Sequence, residues 1–347
     1  MAAILAVILA CSDTGPTGPH GAAAEVKPLM LINGVDDFGH RAAGAIMIYD
    51  PAFPDKPGWR SFCSAALIHE RVVQTAGHCI QFLEAGLAAG VVKAAWISFQ
   101  QDPDAHFTED PAVADPASGG WYEIESLHNN PDNPDWVALR QAAQEAETRE
   151  DSAEIRANWG KLHDSGAIVL RKAVNAIRPM SMASRRGTVN GLLRSSGCRD
   201  EDHPRRHRWR SCDLLAVGYG LEGFPPPLPP VQVRRSALLR YRGHDRMFIR
   251  TFADPDDPSD SDFGSICLGD SGAPVVLLKW NGRDRTAVAI SSSPGDPFDF
   301  NCTTGGLQYR VDTESHIKFI NGVIQSLDGA RRRHRQPRPH RRWPWTR

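Results

Sequence analysis

The chain has 347 residues, of which 41% are hydrophobic and 23% charged, and its formal net charge is −1. That length is enough to bury two separate cores. The near-neutral total excludes a chain that binds polyanions over its whole surface, but it hides an asymmetry: residues 331–347 hold eight arginines and no acid, which leaves −1 − 8 = −9 for residues 1–330.

Taken in order, residues 1–30 read as a leader and linker. Met1 to Ala10 is apolar but well short of the roughly 20 residues that span a bilayer. It fits the apolar core of an export signal, without the basic residues expected ahead of it. Ile8-Leu9-Ala10-Cys11 resembles a bacterial lipobox. On that reading Cys11 is lipidated and anchors the chain to a membrane; ordinary signal cleavage nearby is the alternative. Both readings place the protein outside the cytoplasm. Ser12 to Lys27, with its Gly, Pro and Ala content, reads as a flexible linker.

Short apolar or alternating runs come next, at 44–49, 71–75, 94–99, 167–170, 214–219, 273–278 and 287–291. Their length and their Gly and Pro punctuation predict an all-β architecture. The Ala-, Glu-, Gln- and Arg-rich stretch from Arg140 to Arg156 reads instead as helix, within a charged surface excursion over 130–160. A mixed, mostly basic loop over 199–210 lies between Cys198 and Cys212. Asp254, Asp256, Asp257, Asp260 and Asp262 crowd one segment without the spacing of an EF-hand, so a solvated acidic loop is expected there rather than a calcium site. A terminal helix is predicted over 314–327, capped by Thr313, with Ile317, Ile320, Ile324 and Leu327 on one face. Residues 329–347 read as a disordered basic tail, with the charge to touch polyanions but nothing in the chain to pair with.

Two segments carry chemistry. Thr75-Ala76-Gly77-His78-Cys79 sets a histidine beside a cysteine, and Cys267-Leu268-Gly269-Asp270-Ser271-Gly272-Ala273-Pro274 sets a serine between glycines on a tight turn. A serine hydroxyl is a weak nucleophile at neutral pH until a base takes its proton, so Ser271 needs a partner such as His78. A buried carboxylate would fix the histidine tautomer. Asp164 lies just ahead of an apolar strand-like run, and Asp135 lies ahead of a stretch that looks helical.

These motifs, in the order His78, Asp164, Ser271, resemble the chymotrypsin/trypsin family of serine endopeptidases (peptidase family S1). The resemblance prefers Asp164, since the family's aspartate precedes such a strand, and leaves Asp135 as the rival. Arg171-Lys172-Ala173-Val174 and Ile177-Arg178-Pro179 extend the likeness, and Ala273 departs from the glycine usual there. The resemblance implies two six-stranded antiparallel β-barrels packed side by side with a C-terminal helix. The first would span 31–180 and supply His78 and Asp164; the second would span 181–328 and supply Ser271. It implies attack by Ser271 on a peptide carbonyl, proton transfer through His78, and an oxyanion held by the amides of Gly269 and Ser271. Protein or peptide substrates, a monomer, and no metal or cofactor belong to the same expectation.

Of seven cysteines, Cys11 lies in the leader, and the other six allow many pairings. The resemblance implies Cys63–Cys79 and Cys267–Cys302, and leaves Cys198 for Cys212. It puts Ser265 at the base of the specificity pocket, with Ile266, Ser291 to Ser293 and Gly305-Gly306 as walls. With serine rather than aspartate at the base, an apolar, small-to-medium P1 residue is expected, Ser293 narrowing the entrance; Asp296 or Asp299 could reverse this. A new N-terminus at Leu31 would pair with Asp270, although the Met30–Leu31 bond lacks the basic residue typical of zymogens. The competing reading is an inactive protease homologue that acts as a binding or adhesion protein. The presence of His78, Asp164, Ser271 and Gly269 argues against it.

Overall fold

A computed structural model describes residues 34–51, 58–103, 120–146, 151, 154, 158, 161–198, 213–220, 233–252, 263–278, 285–294, 302 and 305–335. The leader with Cys11, the linker, Leu31, the 199–210 loop, Cys212, the Asp254 to Asp262 cluster, Asp296, Asp299 and the tail beyond Arg335 lie outside these residues.

The strands are β1 (Val35–Asp36), β2 (Ala43–Asp50), β3 (Gly58–His69), β4 (Val72–Thr75), β5 (Ala94–Ser98), β6 (Trp121–Asn129), β7 (Gly166–Leu170), β8 (Ser181–Met182), β9 (Asp213–Gly218), β10 (Arg235–His244), β11 (Phe248–Phe252), β12 (Pro274–Leu278), β13 (Arg285–Pro294) and β14 (Gly306–Arg310). The helices are α1 (Gly77–Ala88), α2 (Trp136–Glu145), α3 (Thr188–Ser195) and α4 (Glu314–Arg335).

Strands β2-β3-β4-β7-β6-β5 close one six-stranded antiparallel barrel. The second closes as β9-β10-β11-β14-β13-β12, because the long β10 pairs with β9 through one half and β11 through the other. Along β10 buried residues alternate with half-buried ones, so a strand carrying Arg235, Arg240 and Arg242 still presents Ala237, Leu239 and Tyr241 to a core. Each barrel has its own apolar filling. Ile46, Ile48, Leu67, Val73, Ile97 and Ile168 fill the first; Leu214, Leu239, Ile249, Val275, Ile290 and Tyr309 fill the second.

Two short strands attach to the second barrel from outside. β8 runs parallel to β13, and β1 runs antiparallel to β10. The sequence placed residues 35–36 with the first barrel. Both are exposed and offer no apolar face to bury there, so β1 satisfies its backbone on β10 instead.

Buried polar groups join the barrels. Arg234, 3% exposed, donates from Nε to the Asp37 carbonyl (3.0 Å) and from Nη1 to the Phe99 carbonyl (3.0 Å). The Tyr219 hydroxyl donates to the Gln100 carbonyl (2.6 Å). Burial would raise the Asp37 carboxyl, but hydrogen bonds from the His40 ring and amide outweigh it and hold this group well below the usual carboxylate range.

The terminal helix adds a second connection. Thr313 Oγ1 accepts from the His316 amide (3.2 Å), as the predicted cap requires, and α4 runs on to Arg335. Phe319, Ile320, Val323, Ile324 and Leu327 pack on Val72, Ala167 and Val169 of the first barrel. No helix among the described residues is long and apolar enough to cross a membrane.

Candidate active site

Strand β4 is wholly buried and pairs with β7, Thr75 opposite Gly166. The chain turns at Ala76 and enters α1, which places His78 in the helix's first turn. Asp164 lies just before β7, so the β4–β7 register brings it to His78. The carboxylate accepts the His78 amide on Oδ1 (2.9 Å) and faces His78 Nδ1 with Oδ2 (2.9 Å). A carboxylate only accepts, so Nδ1 carries the hydrogen and Nε2 keeps its lone pair. Asp164 is 0% exposed, and its third donor is the Ser292 hydroxyl, 2.6 Å from Oδ2. Three donors on one buried carboxylate meet the requirement that buried charge be hydrogen-bonded.

The loop around Asp164 is clamped from both sides. The Asn133 side chain pairs with both backbone groups of Ser165, accepting from its amide (3.2 Å) and donating to its carbonyl (2.8 Å). The Ser165 hydroxyl meets His316 Nδ1 of α4 (2.8 Å), and His163 Nδ1 meets the Tyr309 hydroxyl of β14 (2.8 Å). Asp135 plays a different part. It accepts from the Ala138 amide (2.9 Å) as the N-cap of α2, exposed to solvent. Trp136 at the start of α2 and Phe82 on α1 stand edge-on to the His78 ring, with centroids 6.0 and 6.1 Å away.

The serine turn comes from the second barrel. Gly269 and Gly272 have φ of 91° and 83°, left-handed values that favour glycine. A Cβ on Gly272 would overlap Thr75 Oγ1 and the Ser64 carbonyl and lie 2.9 Å from the Ala76 amide. The missing Cβ lets the serine turn press against the segment that leads into His78. The Ser64 amide donates to the Ser271 carbonyl (2.8 Å) and the Ser64 hydroxyl to the Gly269 carbonyl (2.9 Å), which fixes the turn to β3. Among the described residues the amides of Gly269 and Ser271 donate to no carbonyl, whereas that of Asp270 donates to Cys267 (3.0 Å).

Asp270 is 0% exposed. Its oxygens accept from the amides of Gly220 and Cys267, both at 2.9 Å. Burial pushes this carboxyl up to about 7, against the pull of those two donors. No basic side chain pairs with it among the described residues.

Ser265, Ile266, Ser291 and Gly306 gather beside the serine turn. The Ser291 carbonyl accepts from Gly272 (2.7 Å) and its amide donates to Ala273 (2.9 Å). A bulge between Ser291 and Ser293 breaks the β13–β14 register. It separates the three serines by role: Ser291 is buried, Ser292 bonds Asp164, and Ser293 is half-buried. Ser265, 0% exposed, donates to the Gly305 carbonyl (3.2 Å), and a Cβ on Gly306 would meet Ile266 Cδ1 at 2.6 Å. Sequence reasoning named Ser292 only as part of a pocket wall, not as a partner of Asp164, and did not single out Asn133, Trp136, Phe82 or Gln308.

Disulfides join Cys63 to Cys79, tying β3 to α1, and Cys267 to Cys302, bracing the serine turn. Cys198 is also disulfide-bonded. Such bonds persist in oxidising compartments outside the cytosol. Cys63, His78 and Cys79 bring potential ligand atoms within 4.8 Å of one another, but the two sulfurs are bonded to each other and so are spent as metal ligands.

No family model and no curated protein matches the chain. The likeness therefore rests on architecture and geometry: a double six-stranded β-barrel with a C-terminal helix, compatible with the chymotrypsin-like fold.

Proposed function

We propose that this protein is a serine endopeptidase of the S1 type, acting on protein or peptide substrates outside the cytoplasm as a monomer. The observation that carries the reading is the pairing of buried Asp164 with half-buried His78 in the first barrel, next to the Ser271 turn of the second.

In this reading Ser271 Oγ attacks the substrate carbonyl carbon while His78 Nε2 takes its proton. The carbonyl π electrons move onto oxygen, where the unspent amides of Gly269 and Ser271 stabilise the charge. Collapse of the tetrahedral species breaks the C–N bond, and Nε2 returns the proton to the departing amine. Water then attacks the ester by the same route and restores the serine. Asp164 stays ionised throughout and balances the imidazolium.

The test is a fluorophosphonate probe on the mature, oxidised protein. Labelling at Ser271 is expected, with complete loss in Ser271→Ala and a fall in peptidase turnover of about 10⁴–10⁶. Equal labelling of both proteins would exclude this mechanism.

A further inference from the structure

We infer that the buried polar cluster of Ser265, Ser291 and Gln308, beside the Ser271 turn, takes a carboxamide side chain of the substrate, so that cleavage follows glutamine or asparagine. The inference rests on the endopeptidase reading and adds its substrate class.

Among the described residues, two buried polar atoms next to the serine turn have no partner. They are Gln308 Oε1 and Ser291 Oγ, on residues that are both 0% exposed. Ser291 and Gln308 are direct cross-strand partners, so their side chains stand on one face of the β13–β14 pair. The Ser291 backbone is itself bonded to Gly272 and Ala273, immediately after the nucleophile.

The orientation of the Gln308 amide is set by its neighbour. The Thr251 hydroxyl donates its one hydrogen to the Gly306 carbonyl (3.2 Å), so toward Gln308 it can only accept. Nε2 therefore faces Thr251 (3.1 Å), and Oε1 is left as an acceptor aimed elsewhere. The Ser265 hydroxyl spends its hydrogen on the Gly305 carbonyl, and its oxygen is left to accept. Ser291 still has a hydrogen to give.

The cluster thus offers acceptors at Gln308 Oε1 and Ser265 Oγ, and a donor at Ser291 Oγ. Leaving Gln308 Oε1 and Ser291 Oγ buried and unpaired is destabilising, and each marks a missing polar partner, with Ser265 Oγ free to accept beside them. A carboxamide supplies two N–H donors and one carbonyl acceptor from a single planar group. A carboxylate has no donor to give. A guanidinium or ammonium has no acceptor for Ser291, and it would be buried where the described residues supply no carboxylate. An aliphatic side chain satisfies none of the three. This differs from the apolar P1 residue expected when Ser265 is considered alone.

The experiment measures kcat/KM of the mature enzyme on a peptide series varied only at P1, alongside the phosphonate label on Ser271. Glutamine or asparagine should exceed leucine and arginine by about 10²-fold or more, because a site built for hydrogen bonding rejects analogues that lack the group. Ser291→Ala and Gln308→Met should each lower the carboxamide-to-leucine ratio at least tenfold. If Ser271 is labelled and peptides are cleaved but leucine, methionine or arginine leads, the pocket assignment fails and the peptidase reading stands. Unchanged ratios in both variants would show that the orphan atoms serve a trapped water and would equally overturn the assignment. Absence of both labelling and cleavage removes the two readings together.

Discussion

Asp164 and Asp270 are both fully buried carboxylates close to the serine turn, yet they are satisfied in different ways. Asp164 has an imidazole, an amide and a hydroxyl; Asp270 has two amides only. Burial pushes Asp270 up to about 7 and pushes the enclosed His316 down to about 3. The raised carboxyl makes the fold hold a proton that the unfolded chain releases above about 4, so its contribution is lost as pH rises from about 4 through 7. The lowered imidazole makes the fold refuse a proton that the unfolded chain takes up below about 6.5, so its contribution is lost as pH falls from there toward 3. The two slopes oppose each other between about pH 4 and 6.5. Relative to wild type, Asp270→Asn should steepen the loss of stability on acidification, and His316→Gln should lessen it. Urea midpoints across that range check this, and three parallel profiles would contradict it. The two rival aspartates separate by turnover. Asp164→Asn should cost roughly 10⁴ in kcat. Asp135→Asn should cost less than about tenfold and only a few tenths of a kcal/mol, since asparagine caps helices as well as aspartate does. The reverse ranking would contradict a working role for the Asp164–His78 pair.

At the scale of elements, the serine turn depends on one backbone contact. At Gly272 an added methyl meets the backbone of β3 and of the segment before α1, at a φ that L side chains avoid. Gly272→Ala should destabilise the protein by more than about 1 kcal/mol and abolish labelling of Ser271. Gly191, in α3 with nothing within 4 Å of its Cβ position, is the control. There alanine should stabilise by about 0.5–1 kcal/mol, measured by the same denaturation. Some of these elements were legible in the sequence. Runs such as Gly166–Leu170 are wholly buried, and a strand buried on both faces reads as a continuous apolar run. The α4 face was visible because Ile320, Ile324 and Leu327 recur at helical spacing and do pack on the first barrel. Strand β10 was not, because three arginines dilute its alternation. Helix α1 went unseen because it begins inside the histidine motif with no side-chain cap to announce it. His78 and Ser271 stood out through the residues around them. Ser292 could not: it sits in a run of three serines, and only the β13 bulge decides which one turns toward Asp164. Gln308 was equally silent, since its significance lies in a lone pair left over after Thr251 has been satisfied.

For the molecule as a whole, the question is what keeps two separately filled barrels in register, since the proposed triad, divided between them, tolerates little slip. Arg234 is one answer. It is buried among the Asp37 and Phe99 carbonyls and the Tyr219 hydroxyl, where the two barrels meet. Arg234→Met keeps an unbranched apolar stem and removes the guanidinium, leaving those acceptors without their donor. It should cost about 3–5 kcal/mol and lower peptidase activity in parallel. Equilibrium unfolding followed by near-UV dichroism, with activity measured alongside, checks this. A variant as stable and as active as wild type would show that the barrels hold together without it.

The docking of α4 also sets an order of events. Val72 and Val169 are made long before Ile320, so the first barrel emerges from synthesis with an outer apolar patch uncovered and with the loop around Asp164 lacking His316. His78 and Asp164 can meet early, but Tyr309 and His316 arrive only after Ser271 has itself been made. On the proposed reading, the reactive site is therefore completed late, when the Ser271 barrel is closed and the returning helix fastens it to the first. A half-made chain then carries the pieces of that site without the clasp that joins them.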